Sequence, residues 1–319
     1  MKHLSNILVG LTFTAVGLAA CADKPTSGRT DTYSSGAITF ASDESFSPII
    51  EEERQVFEAS YSQAKVTPLY INEIDGMNKL LKDSSICLLI TSRNYTAKEK
   101  QYLKDSKFLP VSIPIAYDGL ALIINKQNVD SCIAAKDVKA ILRGDIKKWN
   151  QLNPKSTLGD IQVVFDNKKS STIQYCVDSL LNGQHITSDN IQAVNKSKDV
   201  IDYVQKTPNA IGIIGSNWLN DQRDTTNTTF KKNIRVMSVS KLDKATDMNS
   251  WKPYQAYLYD GRYPFIRTIY ALLNDPINGL PWGFAHFLES PKGQLIIFKS
   301  GLLPYRGDIN VRSVNVGDE

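Results

Sequence analysis

From Ala37 onward the chain returns repeatedly to one unit, a short apolar run followed by an amphipathic stretch. Residues 37–42 (AITFAS) precede a helical pattern over 48–60 whose apolar points are Ile49, Ile50, Val56 and Phe57. Residues 65–71 (KVTPLYI) precede 73–81 (EIDGMNKLL), which sets Ile74, Met77, Leu80 and Leu81 on one face. Residues 85–91 (SICLLIT) precede a helix opening at Thr96-Ala97-Lys98-Glu99, a capping-box pattern. LALIIN (120–125), QVVF (162–165) and AIGIIG (210–215) are further strand candidates. Strand-length apolar runs alternating with period-3.6 stretches predict an α/β protein with largely parallel sheets.

The first residues obey a different rule. Lys2 leads into an apolar run over 7–20, too short to span a bilayer as a stable helix, which reads as a signal-peptide core. It ends Leu18-Ala19-Ala20-Cys21, small residues before a cysteine, as in a bacterial lipobox, so Cys21 is the expected lipidation point and 1–20 the expected signal. Residues 21–36 carry Pro, Gly, Ser and Thr with almost nothing apolar, and we expect a flexible tether there. Removing 20 of 319 residues leaves 299, too many for one comfortable core and suited to two lobes.

Charge and reactive side chains exclude several classes. The net charge of +4 is small and interspersed, without the basic stripe of a nucleic-acid binder. No CxxC or HExxH occurs, so zinc has no support, and no metal or cofactor is expected. His185 and His286 alone survive processing, and 212–218 (GIIGSNW) lacks the GxSxG spacing of a hydrolase elbow. An enzyme is therefore not expected. Cys87 reads as a buried strand residue, and whether Cys132 and Cys176 pair is left open by spacing alone.

The chemistry sits where strands end and helices begin, because free amides and the helix dipole favour an anion there. After the strand ending at Phe165 comes Asp166-Asn167-Lys168-Lys169, and then Ser170, Ser171 and Thr172 open a helix with Ile173, Cys176, Val177, Leu180 and Leu181 as its apolar face. The hydroxyls can serve an oxyanion; the alternative is that Ser170 or Ser171 is simply the helix N-cap. Ser42, Ser45 and Ser47 surround a second helix start before Pro48, and Thr91, Ser92 and Arg93 leave a buried strand together, Arg93 offering a planar fork.

Over roughly 37–313 the chain resembles the phosphate-binding proteins of ABC-type uptake systems. The resemblance is carried by AYDGLALIINKQN (116–128), DVKAILRGDIKKWNQL (137–152), AIGIIGSNWL (210–219), YPFIRTIYALL (263–273) and FLESPKGQLIIFKSGLLPY (287–305), in the family's order. With the lipobox it resembles the lipoproteins of this family in Bacteroidetes-type bacteria. It implies a two-lobed type II periplasmic-binding-protein fold with two inter-lobe crossovers, lobe 1 being 37–118 and 242–314 and lobe 2 being 119–241. It implies a lipid-anchored periplasmic monomer that captures inorganic phosphate for an inner-membrane ABC permease; the alternative is a binder or sensor of another small oxyanion. The implied ligand contacts fall on Ser42, Ser45, Phe46, Asn167, Ser170, Ser171 and Thr172. The family's Arg-and-Ser-Gly-Thr-Thr-like stretch is here Ser-Ser-Thr without Gly, with Asn167 where an Arg is expected, so Arg93 is the candidate replacement. The family's phosphate-selecting Asp has no acid at Thr91-Ser92-Arg93, which leaves Glu73 and Asp43 as candidates.

Overall fold

The structure, a computed structural model, describes residues 28–219 and 234–307. The signal at 1–20, Cys21, and the parts of the expected tether and lobes that fall at 21–27, 220–233 and 308–314 lie outside the described residues. Among those described, no helix is long and apolar enough to cross a membrane.

In chain order the elements are β1 (Gly36–Asp43), α1 (Ser47–Ser60), β2 (Ala64–Ile71), α2 (Glu73–Lys82), β3 (Leu88–Thr91), α3 (Ala97–Asp105) and β4 (Val111–Asn125). Next are β5 (Cys132–Ala134), α4 (Ala135–Arg143), α5 (Trp149–Leu152), β6 (Gln162–Phe165), α6 (Ser171–Tyr175), β7 (Ile191–Ala193), α7 (Ser197–Lys206) and β8 (Ala210–Gly215). The chain continues through β9 (Ile234–Val236), β10 (Ser238–Ser240), β11 (Ser250–Trp251), helix Gln255–Tyr259, β12 (Ile266–Leu273), helices Leu280–Glu289 and Pro291–Lys299, and β13 (Leu303–Pro304). The expected capping box forms: Thr96 accepts from the Glu99 amide, and Glu99 accepts from the Thr96 amide.

One mixed sheet runs β2-β1-β3-β12-β4-β8-β6-β7, and β5, β10 and β11 form a small second sheet. The expectation of largely parallel strands holds toward the edges, where β1 pairs with β2 and β3, and β6 with β7 and β8. The centre is antiparallel, β12 against β3 and β4, and β4 against β8. The physical reason is that β12, arriving late in the chain, is inserted in the opposite direction between β3 and β4, and that β4 runs on past it to pair with β8. Strands β4 and β12 carry the chain between two cores.

Alternation along each strand divides the apolar residues between the faces of the sheet. In the first core Phe40, Leu88, Ile90, Ile269 and Ala271 face one side, with Ala41, Leu89 and Leu272 on the other. In the second, Leu122, Ile124, Val163, Phe165, Ile211 and Ile213 face one side, with Ala121, Ile123, Val164 and Ile214 on the other. Strand β4 serves both: Ile113, Ile115 and Ala116 belong to the first core, and Leu120 onward to the second. Trp251, Tyr257, Leu258, Tyr263, Phe265 and Ile266 also pack on the second core. The apolar side chains of 251–266, and Leu303 after them, are thus buried with the second core's strands.

The expected tether is corrected in its latter part. Residues 28–36 are docked on the first core: Arg29 bridges Asp31 (2.6 Å) and Asp275 (2.9 Å), and the Asp31 carboxylate accepts from the Leu280 amide at 2.7 Å. Helix Leu280–Glu289 has no cap from its own Gly279, so Asp31 supplies one. Polar composition suggested a free segment, but these polar groups have specific partners. Cys87, Cys132 and Cys176 are all free thiols.

Candidate functional site

Two strands pass between the cores at the same height, and the residues that face each other there are Asp118 of β4 and Arg267 of β12. They form an ion pair at 2.8 Å with side chains 0% and 1% exposed. Asp118 also accepts from the Ser216 amide (2.9 Å) and hydroxyl (2.7 Å). Gly215 makes room for this pair, since a Cβ there would lie 2.8 Å from both Arg267 Nη2 and Asp118 Oδ2. The Arg267 guanidinium rests over the Phe46 ring, 4.6 Å from its centroid.

The outer edge of that guanidinium reaches hydroxyls from both cores. Nη1 donates to Ser171 Oγ at 2.8 Å and Nη2 to Ser45 Oγ at 3.3 Å, and these two hydroxyls are 3.0 Å apart. Ser45 lies in the turn that follows β1, where strand and helix are joined by a single tight turn. Ser171 opens α6, and Ser170 is its N-cap, accepting from Ile173 N. The amides of Ser45 (2.8 Å) and Ser171 (3.3 Å), one from each core, both donate to the Asp43 carboxylate. The two oxygens of this side chain are thus held between two backbone amides.

The expected residues divide as follows. Ser42, Ser45, Phe46, Ser170, Ser171 and Thr172 are all buried in or beside this cleft. Ser42 donates to the Asp43 carbonyl, while Thr172 bonds Ser170 at 2.7 Å and donates to Asp166. Glu73 is buried, but its Oε2 takes Thr91 Oγ1 (2.5 Å), Ser92 N (3.1 Å) and Ser92 Oγ (3.0 Å), so it fastens the end of β3. Burial, followed by the charge of Asp43, raises its pKa. Asn167 is half-buried and accepts from the Lys169 amide. Arg93 is not brought to the Ser45–Ser171 pair. Its fork is held by Glu99 at 2.7 and 2.9 Å, because that acid stands in the first turn of α3, six residues on. The guanidinium at the centre is Arg267.

Arg267, Asp118 and Asp166 were not found from sequence. Each is a charge within or at the end of an apolar strand, and two opposite charges in separate apolar runs (118 and 267) are the signal that could have paired them. Asp166 is buried, and burial together with the Asp43 charge raises its pKa. Among the described residues, buried carboxylates thus outnumber the one buried cation, Arg267, which Asp118 already pairs.

Two cores joined by two crossing strands, with donors from both meeting at the crossing, define a protein of the type II periplasmic-binding-protein fold. Residues 25–292 match the model of the PBP superfamily domain, and the chain belongs to that family. It is 24% identical over 252 residues to the phosphate-binding protein PstS of Staphylococcus aureus, covering 77% of this chain and 72% of that one. Among solved structures it resembles a phosphate ABC transporter substrate-binding protein with bound phosphate from Clostridium perfringens (TM-score 0.68, 21% identity, 85% of this chain and all of that one). An ABC-type phosphate transport receptor from Vibrio cholerae is also similar (TM-score 0.61, 19% identity, 83% and 99%).

Proposed function

We propose that this protein captures inorganic phosphate between two lobes and delivers it to an ABC permease, without a chemical step. The observation that carries the reading is the convergence of Arg267 with the Ser45 and Ser171 hydroxyls from opposite cores. The hydroxyls have a guanidinium and each other as partners, an arrangement for donating to an oxyanion and not for deprotonating a nucleophile. The ligand set would be Ser42, Ser45, Ser170, Ser171, Thr172 and Arg267, with Phe46 beneath the guanidinium. The likeness to named phosphate-binding proteins supports the choice of anion, and so does the surplus of buried carboxylates. Such a surplus favours an anion that still carries a proton to donate, as phosphate does and sulfate does not. Asp43 is the acceptor we assign, since its carboxyl lies against the Ser45 and Ser171 amides, whereas Glu73 fastens the end of β3.

Arg267→Lys tests this. It keeps a cation beside Asp118 but loses the fork that reaches both hydroxyls. Phosphate affinity by calorimetry should fall by about 1.5–3 kcal/mol, the worth of a charge-assisted hydrogen bond. Unchanged affinity would move the site elsewhere.

The reading places the protein at the outer side of a membrane as a monomer held by lipid on Cys21. Cys21→Ser should then leave the membrane fraction, and a variant that stays there with unchanged mass removes the anchor from the account.

A further inference from the structure

The turn that carries Ser45 reaches the second core at one more point. Glu44 Oε2 accepts both the Ser197 amide (3.1 Å) and the Ser197 hydroxyl (2.9 Å) at the start of α7. Helix α7 has no capping side chain of its own, because Lys196 makes no such bond. Its far end is held from β4, where Asn125 Nδ2 donates to the carbonyls of Val204 (3.0 Å) and Gln205 (2.8 Å). A second-core helix therefore takes its N-terminal cap from a first-core residue, and that cap exists only while the two cores are together.

We propose that Glu44 makes closure of the cleft proton-linked: the closed form holds this side chain as the neutral acid, so closing takes up a proton. This rests on the anion-capture reading, and Glu44 acts as a positioning residue that does not itself hold the anion. Both bonds from Ser197 fall on Oε2, which leaves Oε1 to carry the proton. The surrounding charges favour the neutral form. Asp43 is adjacent in the chain, Asp166 ends β6, and Asp199 lies in the first turn of α7. Lys196 and Lys198 flank Ser197 but are exposed, Lys169 is engaged by Asp75 at 3.2 Å, and Arg267 is bound to Asp118.

Burial first, and then the charges of Asp166 and Asp43, raise the Glu44 carboxyl from its ordinary 4.5 to about 7, against the opposing pull of the Ser197 bonds. Parting the cores returns the group to water and to its ordinary value. Between about 4.5 and about 7 closing therefore binds a proton, and the closed form loses stability relative to the open one as pH rises through 7. Acidification favours capture and alkalinity favours release.

The experiment compares the protein with its Glu44→Gln variant, which mimics the neutral acid at every pH. Inorganic phosphate is titrated by calorimetry at pH 6 and pH 8.5, and the radius of gyration without anion is followed by small-angle scattering over the same range. Phosphate's own ionisation is common to both proteins and cancels in the ratio of their dissociation constants. The ratio of wild-type to variant dissociation constants is expected to rise about tenfold from pH 6 to pH 8.5, a tenfold change being one pKa unit of linkage. A ratio that does not change with pH overturns the proposal, whether or not the variant binds more weakly. If neither protein binds phosphate, the anion reading fails and scattering decides this one. Expansion of the wild type with rising pH, absent in the variant, supports proton linkage; identical behaviour of the two overturns it.

Discussion

Glu53 is buried in the first core among Ile49, Ile50, Ile115, Ile269, Leu288 and Ile297, and neither carboxyl oxygen has a hydrogen-bond partner among the described residues. Burial, with a smaller push from Glu52, holds its pKa well above the carboxylate range. The folded state therefore keeps a proton that the unfolded chain releases above about pH 4.5. The stability linked to that proton is fully present below the unfolded value and is lost as pH rises through the folded one. Glu53→Met, similar in length and apolar, should raise stability at pH 8 by about 1–3 kcal/mol, with the gain shrinking toward pH 5. Urea unfolding at several pH values measures this, and parallel curves for the two proteins would contradict it. The same scale shows which site residues could be read in advance. Ser45, Ser170, Ser171 and Thr172 were legible because polar residues at a strand-to-helix junction have a local reason to be there. Arg267 and Asp118 are 149 residues apart and meet only because β12 pairs with β4. Arg93 was misplaced for a local reason: the capping-box acid, Glu99, was recognised, but not that it stands within reach of Arg93.

At the scale of elements, apolar runs located strands well, and 162–165 and 210–215 are β6 and β8 to the residue. Strand direction was less legible. Periodicity says that a strand is half-buried or buried but not which neighbour it pairs with, so the antiparallel β4 and β12 escaped notice. The docked segment 28–36 escaped for a related reason, since its partners lie some 250 residues on. It fits closely against helix Leu280–Glu289: a Cβ on Gly283 would stand 1.7 Å from the Tyr33 carbonyl oxygen. Gly283→Ala should therefore force this segment off the helix, cost about 1–3 kcal/mol as overpacking does, and expose Arg29 to trypsin. Thermal melting and limited proteolysis read both effects. A variant with wild-type stability and resistance would mean that the segment is not held there.

At the scale of the molecule, two cores share one sheet, and their boundary is marked by an ion pair whose partners sit on the two crossing strands. Pairing Asp118 with Arg267 at that place fixes the guanidinium without neutralising its outer edge as a donor. The loop 43–46 then presents one core's amide and hydroxyl to the other's, and the cleft becomes complete only when both are present. The decisive property is whether this site selects an anion that carries a proton. Calorimetric titration of phosphate, in the presence and absence of excess sulfate, tests that directly in the wild type and in Asp43→Asn. We predict one-to-one phosphate binding that sulfate does not displace in the wild type, and weaker, sulfate-sensitive binding in the variant. Sulfate bound as tightly as phosphate, or no binding of either anion, would contradict it.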